Sequence, residues 1–265
     1  MRKPEELARA ISPLWCFFHE NTKHPGWAIQ NVKAHQTHYE DYVQELVAAG
    51  PKTYSTASQV PLPLRYGVGV RTGLQEVISR RRSRRHLGGT LTIVELATIL
   101  RLSHGVMSGV RASTNRIFQR AVPSSGNLGS VHVYIIAKSV RGIAPGIYYY
   151  DSRSHGLVPL REGDYSDELA RTILFQKEFA SAPALLCFSA LIGRVAAKYG
   201  DRAYRLAHLD VGHVGQMVYL LCTSMGLGCC AMGGFIDDAM NRLLEVDGEK
   251  EAVLHLMAVG RVGRS

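Results

Sequence analysis

Val131-His132-Val133-Tyr134-Ile135-Ile136-Ala137 is an almost unbroken run of β-branched and aromatic residues, and Ile147-Tyr148-Tyr149-Tyr150 follows it after a stretch of turn residues. Both read as strands, and their spacing makes them hairpin-like neighbours. Working outward, residues 74–81, 92–102 and 166–178 carry helical patterns, while 184–190 and 252–259 read as buried strands. Strands mixed with helices, two of the strands adjacent in the chain, point to an α+β sandwich rather than a doubly wound sheet. Thr92-Ile93-Val94-Glu95 fits a capping box at a helix start. Between residues 204 and 225, Val211, Val214, Met217, Val218, Leu221, Cys222 and Met225 share one apolar helix face. Such a face is core, and a helix this apolar also suits a subunit interface.

The chain has 265 residues, 46% of them hydrophobic, enough for one large domain or one domain with an N-terminal extension. Lys and Arg number 31 against 22 Asp and Glu, a formal charge of +9 that suits an anionic ligand without identifying it. Five cysteines show no metal-ligand spacing, and buried thiols are the favoured reading over a redox pair at Cys229-Cys230. His19, His24, His35 and His38 scatter through a helix-flavoured first fifty residues, and His35-x-x-His38 alone does not make a metal site. Residues 51–69, with Pro51, Pro61, Pro63, Gly67 and Gly69, read as an extended linker. No apolar signal region or membrane span is legible, so a soluble cytoplasmic protein is expected.

Five arginines surround one serine in Arg80-Arg81-Arg82-Ser83-Arg84-Arg85. Guanidinium matches phosphate oxygens in a bidentate fork, and a serine hydroxyl adds a short donor. The bland alternatives are a solvated basic turn or a nucleic-acid patch. The run lies between an apolar helical segment and the Gly88-Gly89 turn, which favours a small phosphorylated ligand. Pro123-Ser124-Ser125-Gly126-Asn127 precedes the first strand; its small residues admit a flat ligand, although alone it is also an ordinary turn.

Arg194, Lys198 and Arg202 or Arg205 fall on one face if their segment is helical. A solvated face is the default; the alternative is that crowded cations depress the pKa of Lys198 or Tyr199 and make either a general base. Gly226 to Ala231 matches G-x-G-x-x-A but follows a helix, so a C-cap at Gly226 and a close-approach loop at Gly233-Gly234 explain it better. Arg261, just beyond the last strand, is either a further phosphate contact or a surface charge.

In chain order these motifs are Arg-x-Ser-x-Arg, Pro-Ser-Ser-Gly, Lys-Tyr, Gly-His-x-x-Gln at 212–216 and Gly-Gly-Phe at 233–235. The series resembles the FMN-dependent nitroreductase-like superfamily, and within it the SagB-type dehydrogenases that oxidise azolines in peptide natural-product pathways. The resemblance covers roughly residues 72–263, and Phe18-His19-Glu20-Asn21-Thr22-Lys23 is similar to the N-terminal signature of the SagB type.

It implies a nitroreductase-like sandwich with a mostly antiparallel central sheet flanked by helices. Residues 1–65 would form an N-terminal helical extension and linker, and 66–265 an FMN-binding domain. It assigns Arg81, Arg82, Ser83 and Arg85 to the FMN phosphate and ribityl chain, with Arg261 as a further contact. Pro123, Ser124, Ser125 and Gly126 would lie along the isoalloxazine, and Gln216, Gly233 and Gly234 near the flavin. Lys198 and Tyr199 match the catalytic pair, and no metal is implied. One stretch departs: after Pro-Ser-x-Gly the family commonly continues Ala-Leu-Tyr-Pro-x-Glu, whereas this chain reads Asn127-Leu128-Gly129-Ser130-Val131-His132. That stretch helps shape the substrate side of the pocket.

The resemblance implies dehydrogenation of a thiazoline or oxazoline, one ring C–H leaving as a proton to Lys198 or Tyr199 and its neighbour as hydride to the flavin. Two alternatives stand beside it. One is an NAD(P)H-dependent flavin reductase acting on an unsaturated residue, nitro group or quinone; the other is a non-catalytic flavin-binding scaffold in a biosynthetic complex. Expected partners are a peptide or peptide-derived substrate, a cyclodehydratase and a second copy of the chain, with neither nucleic acid nor membrane.

Overall fold

β6 (Val131–Ala137) is buried at every position because its two faces enter two different cores. Val131, Val133, Ile135 and Ala137 belong to one, Tyr134 and Ile136 to the other. A strand alternates sides with each residue, so apolar cover on both sides writes an unbroken apolar run. β8 (Gly146–Asp151) lies beside it, antiparallel, with Tyr134 opposite Tyr149 and Ile136 opposite Ile147.

A computed structural model describes residues 14–23, 52–54, 58–65, 72–112 and 115–263. His24, His35 and His38, and Pro51, Gly67 and Gly69 of the expected linker, lie outside the described residues. The main sheet adds β1 (Val60–Pro61), β9 (Gly156–Glu162), β10 (Ala184–Leu191), β11 (Leu227–Met232) and β12 (Glu251–Val262), in the order β1-β9-β8-β6-β10-β12-β11. β2 (Leu87–Gly88) also pairs with β12, and all these pairings are antiparallel. A parallel pair, β3 (Leu91–Thr92) with β7 (Val140–Arg141), and a hairpin, β4 (Val106–Ala112) with β5 (Asn115–Arg120), stand apart from it.

Helices cover both faces. α3 (Ile93–His104) and α6 (Ala203–Ser224) pack into one core, α4 (Ser166–Thr172) and α7 (Asp237–Leu243) into the other. The molecule is an α+β sandwich with a mostly antiparallel central sheet flanked by helices. The expected capping box closes the start of α3: Glu95 N donates to the Thr92 hydroxyl (3.2 Å), and Thr92 N donates to the Glu95 carboxylate (2.8 Å). Along α6, Val211, Val214, Val218, Leu221 and Cys222 are buried, as their spacing predicts, and Gly226 follows at φ +69.

Two expectations change. The helix expected over 166–178 stops at Thr172, because Ile173 forms a bridge to Phe235 and Leu174 N donates to Gly234 O. Breaking there lets Ile173 and Phe179 both enter the second core. Between Gly226 and the Gly233-Gly234 loop an unforeseen strand forms, β11, in which Cys229 faces one core and Cys230 the other. Residues near the N-terminal side join the same body: Val60 pairs with Leu157, and Lys52 and Tyr54 reach Tyr134. Cys187, Cys222, Cys229 and Cys230 are buried and free. Among the described residues no helix is long and apolar enough to cross a membrane.

Candidate active site

The arginine run begins where α2 (Leu74–Arg80) ends, and residues 81–86 continue without helix or strand. Arg84 N donates to Cys229 O (2.9 Å), which ties the run to β11. Tyr219 of α6 organises it. The Arg81 guanidinium lies 5.2 Å from the centre of the Tyr219 ring, and Ser83 Oγ is 3.0 Å from Tyr219 Oη. Tyr219 Oη already accepts from Ala231 N (2.9 Å), so its own proton is available to Ser83. Burial pushes the Cys230 thiol up, and the nearby charge of Arg85 opposes the shift.

The arginines divide by partner. Arg80 pairs with Glu76 (2.7 Å), and Arg82 folds back onto the carbonyls of Ser79 (3.0 Å) and Arg81 (2.7 Å). Arg81, Arg84 and Arg85 have no carboxylate partner among the described residues. Arg261 is paired: Glu95 holds it at 2.7 Å and Thr90 O accepts from its Nε at 3.4 Å.

The second group gathers around Gly126. Asp210, buried on α6, accepts from Ser125 N (2.9 and 3.0 Å) and Ser125 Oγ (2.9 Å), while Ser124 Oγ accepts from Gly129 N (3.0 Å). Burial pushes the Asp210 carboxyl up, against the pull of the Ser125 hydrogen bonds. Gly126 sits at φ +59, and a Cβ there would stand 2.8 Å from Tyr199 Oη and 3.0 Å from Lys198 Nζ. The turn therefore passes directly beneath the two side chains at the end of α5 (Ile192–Tyr199), and glycine is required for both reasons.

The cations expected on one helix face, Arg194, Lys198 and Arg202 or Arg205, diverge. α5 ends at Tyr199 and Gly200, at φ +55, redirects the chain. Arg194 donates to Leu128 O (3.3 Å), whereas Arg202 and Arg205 reach Thr22 O (3.1 Å) and His19 O (3.3 Å), at the end of α1 (Leu14–Asn21).

The two groups are strung along α6 rather than in contact. Asp210 and Tyr219 are nine residues apart on α6, about 14 Å at the helical rise. Gln216 is exposed between them, Pro123 and Gly233 are exposed, and Gly234 packs against Phe175. Asp210 and Tyr219 went unnoticed in the sequence. The only signal was a carboxylate and a phenol interrupting an apolar stripe.

Residues 78–261 match the nitroreductase family. The chain belongs to that family. A curated Methanocaldococcus jannaschii protein, MJ1384, named as a nitroreductase, is 36% identical over 189 residues, covering 71% of this chain and 90% of its own. A solved nitroreductase-family chain from Anabaena variabilis superimposes with a TM-score of 0.64 at 25% identity, over 80% of this chain and 45% of that one. The present chain thus spans just under half of that relative's length. A Ralstonia eutropha structure gives 0.64 at 21% identity over 81% and 94%, and shares the fold. So does a chain of the Escherichia coli microcin synthetase McbBCD complex, solved with truncated pro-MccB17 bound (0.58, 17%, covering 85% and 92%).

Nitroreductases of this family are oxidoreductases that typically bind FMN. The residues present fit that group. Three guanidiniums lack carboxylates beside a serine hydroxyl, and a left-handed glycine brings the turn backbone against a lysine and a tyrosine.

Proposed function

We propose that this protein is an FMN-dependent oxidoreductase that draws reducing equivalents from a reduced nicotinamide and delivers them to an unsaturated, nitro or quinone acceptor. The passage of Gly126 beneath Lys198 Nζ and Tyr199 Oη carries this reading. Arg81, Ser83 and Arg85 would hold the FMN phosphate, and Ser124, Ser125 and Gly126 would lie along the ring system. FMN, when bound, supplies the two-electron carrier. Asp210 fixes the turn by gripping Ser125, so the backbone at Gly126 is presented in one orientation. Lys198 Nζ and Tyr199 Oη, the polar atoms over that turn, hold the proton that an acceptor takes up with its electrons.

Azoline dehydrogenation is the second reading, favoured by the same pair. Lys198 and Tyr199 side by side suit a base at a ring C–H as well as an acid at an acceptor. A homodimer fits either reading, with Tyr204 and Leu209 of α6 left exposed in the single chain. Anaerobic mixing decides direction. Rapid bleaching of the flavin by NADPH is expected; bleaching by an azoline peptide but not by NADPH would shift the assignment to dehydrogenation, and a colourless protein would sink both. Lys198→Ala should retain its flavin yet lose about 10²–10⁴-fold in turnover, and full activity in that variant removes Lys198 from the chemistry.

A further inference from the structure

We infer that the acceptor carries a carboxylate, held by Arg120 behind the turn of residues 124–129 and bound together with one proton on His132; the claim rests on the oxidoreductase reading above. Among the described residues, the buried side-chain atoms without a hydrogen-bond partner are Arg101 Nε, His104 Nδ1, Arg120 Nε, Ser130 Oγ and His132 Nε2. They come from the last turns of α3, the end of β5 and the start of β6. Three of these side chains, His104, Arg120 and His132, lie within reach of one another. Arg120 and His132 both bear electrostatically on His104, and Arg194, Lys52 and Arg120 bear on His132. Orphaned buried donors and acceptors are costly in a native interior, and three side chains carrying them within reach of one another mark a place built for polar contents.

The charge there is one-sided. Arg120 is mostly buried and has no ion-pair partner among the described residues. Its guanidinium lies flat on Gly129, where a Cβ would collide with it. Gly129, Ser130 and His132 are the positions at which this chain lacks the Tyr, Pro and Glu of the family pattern. Two of the orphaned atoms belong to these three residues.

The tautomer of His132 follows from its neighbours. Tyr149 Oη donates its single proton to Lys52 O (2.8 Å) and so accepts from His132 Nδ1 (2.9 Å). Neutral His132 therefore keeps its proton on Nδ1 and presents Nε2 bare. The groups facing it are Arg120 from β5, Arg194 from α5, Lys52, His104 from α3 and Tyr149 from β8. Burial first, and then these charges, make a proton on Nε2 unfavourable until an anion arrives. A ligand carboxylate supplies that anion, accepting from Arg120 Nε and from the newly protonated Nε2. Seated three residues along the turn from Gly126, it would aim the rest of the molecule at Lys198 and Tyr199.

Calorimetry on the protein as purified tests this with benzoate and benzamide. Benzoate should bind at least about tenfold more tightly, the worth of one hydrogen bond to a charged group, with uptake of about one proton at pH 8, read from buffers of different ionisation enthalpy. Arg120→Gln should abolish the preference, and His132→Glu should abolish benzoate binding, with far-ultraviolet dichroism unchanged in both. Equal affinity for the two ligands, binding of neither, no proton uptake, or a preference that survives Arg120→Gln overturns the proposal. Flavin bleaching by NADPH is read separately. Its failure with benzoate selectivity intact discards the oxidoreductase reading and leaves the carboxylate site standing.

Discussion

Arg81 and Arg84 differ by three positions and no change of side chain, yet their surroundings set them apart. Arg81 lies over the Tyr219 ring beside Ser83, whereas the backbone of Arg84 is bonded to Cys229 and its Cβ stands against Gly228. Arg81→Ala or Arg85→Ala is expected to strip the flavin during purification, while Arg84→Ala retains it; the ratio of flavin to protein absorbance reads the outcome. His104 offers a test in pH. Burial, with the positive charge of Arg120, holds its pKa down to about 3, against an ordinary 6.5. Between those values the unfolded chain binds a proton that the folded chain refuses, so stability falls as pH drops through the window. At pH 4 this group should cost on the order of 3 kcal/mol. His104→Gln should flatten that limb of the curve in urea melts at pH 7 and pH 4.

At the scale of elements, one carboxylate does two jobs. Glu95 completes the capping box of α3 and also pairs with Arg261 at the end of β12. Thr92→Ala should cost about 1 kcal/mol, seen as a lower denaturant midpoint with flavin content unchanged. The cap was legible because everything in it lies within four residues. The ends of α4 and the existence of β11 were not legible, because partners distant in the chain decide both. Residues 173–178 have helical apolar spacing, but Phe235 and Gly234 capture Ile173 and Leu174 first. The glycines flanking 227–232 mask a strand there, which the pairing of Cys229 with Val259 makes.

At the scale of the molecule, Glu251 gathers the sheet. It accepts from Lys52 (2.8 Å), Tyr134 (2.8 Å) and Ser189 (2.7 Å), joining β12, β6, β10 and the segment before β1. Removing one member of a buried ion pair is commonly worth about 3 kcal/mol or more. Glu251→Ala should therefore destabilise the whole fold by about 3 kcal/mol, as a single cooperative shift in melts followed by dichroism. Lys52→Ala should cost less, since Glu251 keeps two hydroxyl donors.

The local signals, namely the unbroken apolar run of β6, the 3.6-residue face of α6 and the capping box, each written within one element, were sufficient for the sandwich together with the order of the motifs. The arginine run likewise announced an anion by composition alone. Tertiary structure decided the rest. It paired Ser125 with Asp210 and Ser83 with Tyr219, turned Arg261 to Glu95, and left buried atoms of α3, β5 and β6 without partners. Which charges are free, and which buried atoms go without a partner, depends on contacts between residues up to 199 positions apart. No local pattern encodes such contacts.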